Sequence, residues 1–179
     1  MNDESRQYIS DSIRTIPDFP KKGIMFHDVT SLLLDPKAFQ LSIDDFAARY
    51  KDHKIDVVAG FEARGFIFGA PLALQLKCAF VPLRKPGKLP GETIGASYQL
   101  EYGEDRIEMH LGHVKEGQRV LLIDDLIATG GTLAAGIKLM NQVKAEIVEC
   151  ACVIELPDLN GKAKLGGLPL YVQVQKEGD

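Results

Sequence analysis

The spacing of apolar and polar positions divides the chain into a series of helices and strands. Tyr8, Ile9, Ile13 and Ile16 recur at helical intervals and predict a helix over residues 4 to 15, stopped by Pro17. Residues 18 to 28, DFPKKGIMFHD, set Pro20 and Gly23 between Phe19 and Phe26 without any period, which predicts an irregular cover. Asp35 and Pro36 then supply an N-cap and a first-turn proline for a helix running to about Tyr50. From Ile55 the order becomes strand, helix, strand: IDVVAGF, GFIFGAPLALQL, AFVPL. Such alternation argues for parallel strands joined by crossover helices.

Residues 84 to 95, RKPGKLPGETIG, hold three glycines and two prolines and no periodicity, so they predict a long mobile loop. Tyr98, Leu100 and Tyr102 alternate with polar residues, Gly103 to Asp105 turn, and Ile107, Met109 and Leu111 alternate again, which predicts a hairpin. VLLI, residues 120 to 123, reads as a fully buried central strand. A helix from about Gly131 to Val143, a buried strand over residues 147 to 156 and an edge strand over 170 to 174 complete the chain. The pattern is that of an α/β protein, a central, mainly parallel sheet flanked by helices, in one domain spanning residues 1 to 179.

Composition narrows the partners. Hydrophobic residues make up 45% and charged residues 26%, a globular balance far from that of disorder. The net charge is -4 and no basic run occurs, so a nucleic-acid partner is not expected. No apolar run approaches the roughly 20 residues that span a bilayer, and the acidic, polar start MNDESRQYIS resembles neither a secretory signal nor a transit peptide. A cytoplasmic protein without membrane contact is the expectation. Cys78, Cys150 and Cys152 lack zinc-like spacing, and Cys150 and Cys152 share one face of a predicted strand as ordinary core thiols. His110 and His113 lie near the end of the hairpin and read as surface residues, not metal ligands.

The chemistry concentrates in VLLIDDLIATGGT, residues 120 to 132, where two acids end a buried strand and small residues and hydroxyls open a helix. Ligands of open α/β sheets bind beyond the carboxyl ends of the strands, which turns Asp124 and Asp125 towards a ligand. Gly130 and Gly131 permit close backbone approach, and the N–H groups from Ala128 to Thr132 can converge on an anion at the positive end of the helix. The two carboxylates suit sugar hydroxyls or a cation, since they would repel a bare phosphate. Taken singly, the acids could merely end a strand and Thr129 merely cap a helix. The chain contains neither GxxxxGK[ST] nor GxGxxG, which removes the P-loop and dinucleotide readings.

IDDLIATGGT closely resembles the phosphoribosyl-diphosphate signature of type I phosphoribosyltransferases. PDFPKKGIMFHD, EARGFIFG, RKPGKLPGETI, LEYG and IDDLIATGGT follow one another in the order typical of the adenine phosphoribosyltransferases and together cover nearly the whole chain. The resemblance implies the type I phosphoribosyltransferase fold, with a small N-terminal hood over about residues 1 to 35, a core over 36 to 179 and a flexible hairpin loop.

It also implies roles. Ala128, Thr129, Gly130, Gly131 and Thr132 would hold the 5-phosphate, and Asp124 and Asp125 would face the ribose hydroxyls. Glu62, Ala63, Arg64 and Gly65 would form the pyrophosphate loop, with a strained peptide near Glu62 and Ala63. Arg84, Lys85 and Lys88 would contact pyrophosphate beside a flap that closes over the reacting centre, with Glu101 and Tyr102 at its tip. Glu101 would exchange a proton with the purine or stabilise the positive sugar carbon, so that Glu101, Asp125 and Arg64 form the expected catalytic set. The base would lie under Ile24, Phe26 and His27, stacked on Phe26, although His27 replaces the usual Arg and Gly91 stands where relatives often carry another residue.

The implied reaction joins adenine to 5-phospho-α-D-ribose 1-diphosphate (PRPP), giving AMP and diphosphate in purine salvage. Magnesium would be held through substrate oxygens, without direct protein ligands. The expected partners are these small molecules and a second copy of the chain in a homodimer. A xanthine or hypoxanthine transferase could use the same sugar site. A non-catalytic regulator of this fold would require a DNA-binding module and a basic surface, for which the chain has neither length nor charge.

Overall fold

The computed structural model describes residues 1–100 and 102–177. At its centre five strands run parallel: β3 (Val57–Phe61), β4 (Ala79–Leu83), β7 (Arg119–Ile127), β8 (Glu146–Glu155) and β9 (Leu170–Gln175). Their spatial order is β4-β3-β7-β8-β9, so VLLI lies in the middle strand and LYVQV at an edge. Side chains alternate across a strand, and the sheet therefore feeds two cores. Val58, Leu121, Ile123 and Val153 pack beneath α1 (Asp3–Ser12), α2 (Pro36–Tyr50) and α3 (Arg64–Leu76), with Ile9, Phe46, Phe68 and Leu72 filling that layer. Val57, Ala59, Leu122, Cys150 and Cys152 face α4 (Gly131–Gln142) and a hairpin of β5 (Thr93–Gln99) and β6 (Glu104–His110). Both strand cysteines are fully buried, and burial pushes the Cys150 thiol up to about 12.

Local signals set several boundaries. Asp35 caps α2 by accepting from the N–H groups of Lys37 and Ala38, ahead of Pro36 in the first turn. A 3-10 helix, Val29–Leu34, that carries no period in the sequence leads into it.

Three predicted boundaries shift. The N-terminal helix ends at Ser12, not residue 15, because Ile13 turns extended and Arg14–Ile16 forms strand β1. That strand pairs antiparallel with β2 (Phe26–Asp28), so cross-strand hydrogen bonds override the helical spacing, and part of the expected irregular cover is strand. The hairpin turn lies earlier than Gly103 to Asp105. Gly103 has a φ of 89°, and the Leu100 N–H bonds the Gly103 carbonyl at 2.9 Å, leaving Tyr102 in the turn. The long loop is also shorter at both ends, since Thr93 already pairs with His110, and Arg84 and Glu108 exchange backbone hydrogen bonds of 2.9 and 2.7 Å. These last bonds tie the hairpin to the end of β4. No helix among the described residues is long and apolar enough to cross a membrane.

Candidate active site

The carboxyl ends of β3, β4 and β7 open onto a cavity of about 290 Å³. Its walls are the turn from β3 into α3, the residues after β4, the loop from β7 into α4, and Tyr98 and Ile107 of the hairpin. The strand ends and helix starts that a parallel sheet forces together supply almost everything in it.

Two helix N-termini point into this space. Gly130, with φ 85°, precedes α4, and no side chain caps that helix, so the first-turn N–H groups retain their capacity for an anion. Thr129 is exposed and does not cap the helix. Alanine 63 precedes α3, again without a side-chain cap, after a cis peptide between Glu62 and Ala63. Gly65 lets the start of α3 press on the end of β7: a side chain there would begin 3.0 Å from an Asp124 carboxylate oxygen and 3.1 Å from the Ile123 carbonyl.

Between the two N-termini sit the paired acids. Asp125 is 5% exposed and accepts from Arg64 Nε at 2.5 Å, while the Asp125 N–H donates to Asp124 at 2.8 Å. Burial, and next the neighbouring Asp125 charge, hold the Asp124 carboxyl well above the usual range. Burial works against the charge of Arg64, but Asp125, with Asp124 and Asp28 behind it, outweighs that cost and raises the guanidinium. Arg64 spends one donor on Asp125, and its half-exposed fork keeps others for a ligand.

Across the cavity Glu62 braces the residues after β4. Its carboxylate accepts from the Lys85 main-chain N–H and lies 3.4 Å from Arg84 Nη2. Arg84 Nε is buried and has no hydrogen-bond partner among the described residues. A buried donor in this condition favours an acceptor arriving with a ligand. Lys85 Nζ pairs with the Asp105 carboxylate and donates to the Tyr98 hydroxyl at 2.9 Å.

Of the residues singled out from the sequence, Glu62, Ala63, Arg64, Arg84, Lys85, Asp124, Asp125 and residues 128 to 132 line this one cavity. Lys88 is exposed and Tyr102 is 87% exposed, both outside the lining, and Glu101 lies outside the described residues. Ile24, Phe26 and His27 stand apart from the cavity wall as well. Phe26 is half-buried, edge-on to Phe19 with ring centroids 5.1 Å apart. The buried His27 ring is held between the Thr15 hydroxyl at 3.0 Å and the Glu177 carbonyl at 2.6 Å. A carbonyl only accepts, so Nε2 carries the hydrogen, and Nδ1 of the neutral ring is left to accept from Thr15.

Sequence reasoning missed Tyr98, Asp105 and Gly161. Tyr98 looked like one more apolar position of a hairpin, and Asp105 like a turn residue. Gly161 opens a 3-10 turn, Gly161–Lys164, whose backbone presses on Gly130 and Ala128 from behind. Its only local sign is the Asn160-Gly161 turn pair, with Asn160 at φ 49°. No group of three or more His, Cys, Asp or Glu among the described residues could hold a metal, and the His110 and His113 rings simply lie against each other at 4.5 Å.

The chain matches a family model, the phosphoribosyl transferase domain, over residues 29–165. Adenine phosphoribosyltransferase 3 of Arabidopsis thaliana is 63% identical over 167 residues, covering 93% of this chain and 91% of that protein. Among solved structures, adenine phosphoribosyltransferase from Rhodothermus marinus superposes with a TM-score of 0.93 at 44% identity, covering 98% of this chain and all of that one. The enzyme from Saccharomyces cerevisiae, in complex with adenine and an imino-altritol bisphosphate, gives 0.91 at 39% identity, covering 96% of this chain and 99% of that one. The phosphoribosyl transferase match spans most of the sequence, the identity is high over nearly its whole length, and the chain belongs to the adenine phosphoribosyltransferase family.

Proposed function

We propose that the cavity at the ends of β3, β4 and β7 is where the chain carries out the reaction of its family, adenine plus PRPP giving AMP and diphosphate. The observation that carries this assignment is the pair of uncapped helix N-termini on either side of two carboxylates. A phosphorylated sugar bearing a diphosphate needs an anion site at each end and hydroxyl acceptors between them.

In this reading the loop of residues 128 to 132 takes the 5-phosphate on its N–H groups. Arg64, Arg84 and Lys85 take the diphosphate, with Lys88 and Tyr102 approaching from the exposed loop and hairpin turn. Asp124 and Asp125 bond the ribose hydroxyls and lie beside the sugar as it turns cationic. Adenine N9 forms its bond to C1' as the bond from C1' to the diphosphate oxygen breaks. The electron pair leaves on diphosphate, and the N9 proton passes to a carboxylate, the role assigned to Glu101. Fixed charges and N–H dipoles aimed at the two anions and the positive carbon require no reorganisation during the step, and such preorganisation is the main source of rate.

The base stacks on Phe26 beneath Ile24 and His27, with the edge of adenine read by backbone groups of that ribbon, since His27 has both ring nitrogens engaged. Magnesium would be held through oxygens of the sugar diphosphate beside the Asp124 and Asp125 carboxylates, hard oxygen donors suited to it, and would supply charge neutralisation of the diphosphate.

The test is AMP formation by purified wild type, Asp125→Asn and Arg64→Ala, with hypoxanthine and guanine as comparison bases. Both variants should lose at least ~100-fold in kcat/KM while still folding, in the range seen when one preorganised charge is removed. Wild-type turnover and sugar-diphosphate affinity in Asp125→Asn would refute the site.

A further inference from the structure

The hairpin is fastened across the mouth of the cavity by one polar cluster. Lys85 Nζ, on the wall assigned to diphosphate, is paired with Asp105 from β6 and donates to the Tyr98 hydroxyl from β5 at 2.9 Å. That hydroxyl in turn donates to Asp105 at 3.0 Å, and the Tyr98 ring lies 5.4 Å beneath the Lys85 ammonium. Tyr98 also packs against the start of α4, its ring edge 3.3 Å from where a side chain on Gly131 would begin. The cluster therefore touches both anion loops, and in it a carboxylate of the protein occupies the cation that a phosphate oxygen would use.

We infer that Asp105 is a positioning residue for the reaction: it holds Lys85 in place before substrate arrives and is exchanged for a diphosphate oxygen on binding, which frees the ammonium for the ligand. This rests on the assignment of Lys85 to diphosphate. Asp105 on the same ammonium would stand beside a multiply charged diphosphate and repel it, and the ligand, with Arg64 and Arg84 as further partners, wins the exchange. The cost of displacing Asp105 is a partly exposed ion pair, since Lys85 and Asp105 side chains are 44% and 29% exposed. That is small enough to be reversed in every turnover. The Arg84 to Glu108 backbone bonds keep the base of the hairpin docked throughout.

The experiment measures magnesium diphosphate binding by calorimetry to wild type, Asp105→Asn, Lys85→Gln, the double variant and Glu104→Gln. Glu104 is an exposed acid of the same hairpin that corrects for general charge. Asp105→Asn should bind roughly three- to fivefold more tightly than wild type, as the loss of a partly exposed competing pair predicts. Glu104→Gln should change affinity by less than about twofold, and the Asp105→Asn effect should vanish in the Lys85→Gln background. In turnover, Asp105→Asn should lower KM for PRPP and leave KM for adenine unchanged. Wild-type affinity in Asp105→Asn, or tightening that persists without Lys85, would each overturn the exchange. If Lys85→Gln alone binds diphosphate like wild type, Lys85 is not in the diphosphate site, and the assignment beneath the inference fails separately.

Discussion

Gly161→Ala puts a single methyl group against the back of the phosphate loop. Gly161 does not have the left-handed φ that only glycine adopts readily, so space alone opposes the substitution. A Cβ there would stand inside 3 Å of the Ala128 carbonyl oxygen and 3.0 Å from the Gly130 nitrogen, where ordinary contact begins near 3.4 Å. Both neighbours are backbone, and no rotamer change relieves the overlap. The loop must retreat on the order of 1 Å, a displacement that costs about 100-fold in rate when it misplaces a reacting group. The overpacking itself should cost about 1–3 kcal/mol of stability. The assay combines thermal unfolding with separate titrations of ribose 5-phosphate and magnesium diphosphate. Gly161→Ala should weaken ribose 5-phosphate roughly 10- to 100-fold and leave diphosphate, held at the α3 end, near its wild-type affinity. Equal losses for both ligands would mean that the substitution damaged the fold as a whole. Unchanged ribose 5-phosphate binding would refute the claim that this turn sets the loop.

Two further outcomes follow from the same geometry. Asp124→Asn should raise stability while abolishing activity: with a folded pKa above the unfolded value, the native carboxyl's contribution is fully present below the ordinary carboxylate range and is lost as pH rises through the folded value. Denaturant unfolding from pH 4 to pH 8 should therefore show the Asn variant level with wild type in acid and increasingly ahead towards neutrality, and an advantage confined to acid would contradict the sign. His27→Ala removes the ring that joins β1 through Thr15 to the Glu177 carbonyl, and it should raise KM for adenine several-fold with KM for PRPP nearly unchanged; steady-state kinetics with each substrate varied will expose any equal change in both.

The parts of the fold that were legible in the sequence share a property: their causes are local. The buried strands announce themselves by apolar runs, α2 by Asp35 and Pro36, and the loop after β7 by acids and glycines in an order that a strand-to-helix turn explains. What was not legible depends on partners distant in the chain. Arg14–Ile16 continues a helical period and becomes strand only because Phe26–Asp28 lies beside it. Asp105 reads as a turn residue until Lys85, twenty positions earlier, is placed against it. Gly161 reads as a turn glycine until the loop after β7 is seen resting on its backbone.

The same division accounts for how the two halves of the substrate are treated. Binding a phosphate requires only N–H groups at a helix start, and these come free with any β-to-α turn that leaves its cap vacant, so the sugar side assembles from short contiguous stretches at three strand ends. Holding a flat base at a fixed angle above that sugar requires a surface that does not belong to the sheet. In the proposed reading the β1-β2 ribbon provides it: Thr15 to His27 and Arg14 to Asp28 join its two strands, and His27 to Glu177 ties it to the segment beyond β9. Asp28 links the two halves electrostatically. The Thr30 hydroxyl, and behind it Arg14, hold its carboxyl below the usual range, and its negative charge adds to those that raise Arg64 on the diphosphate wall.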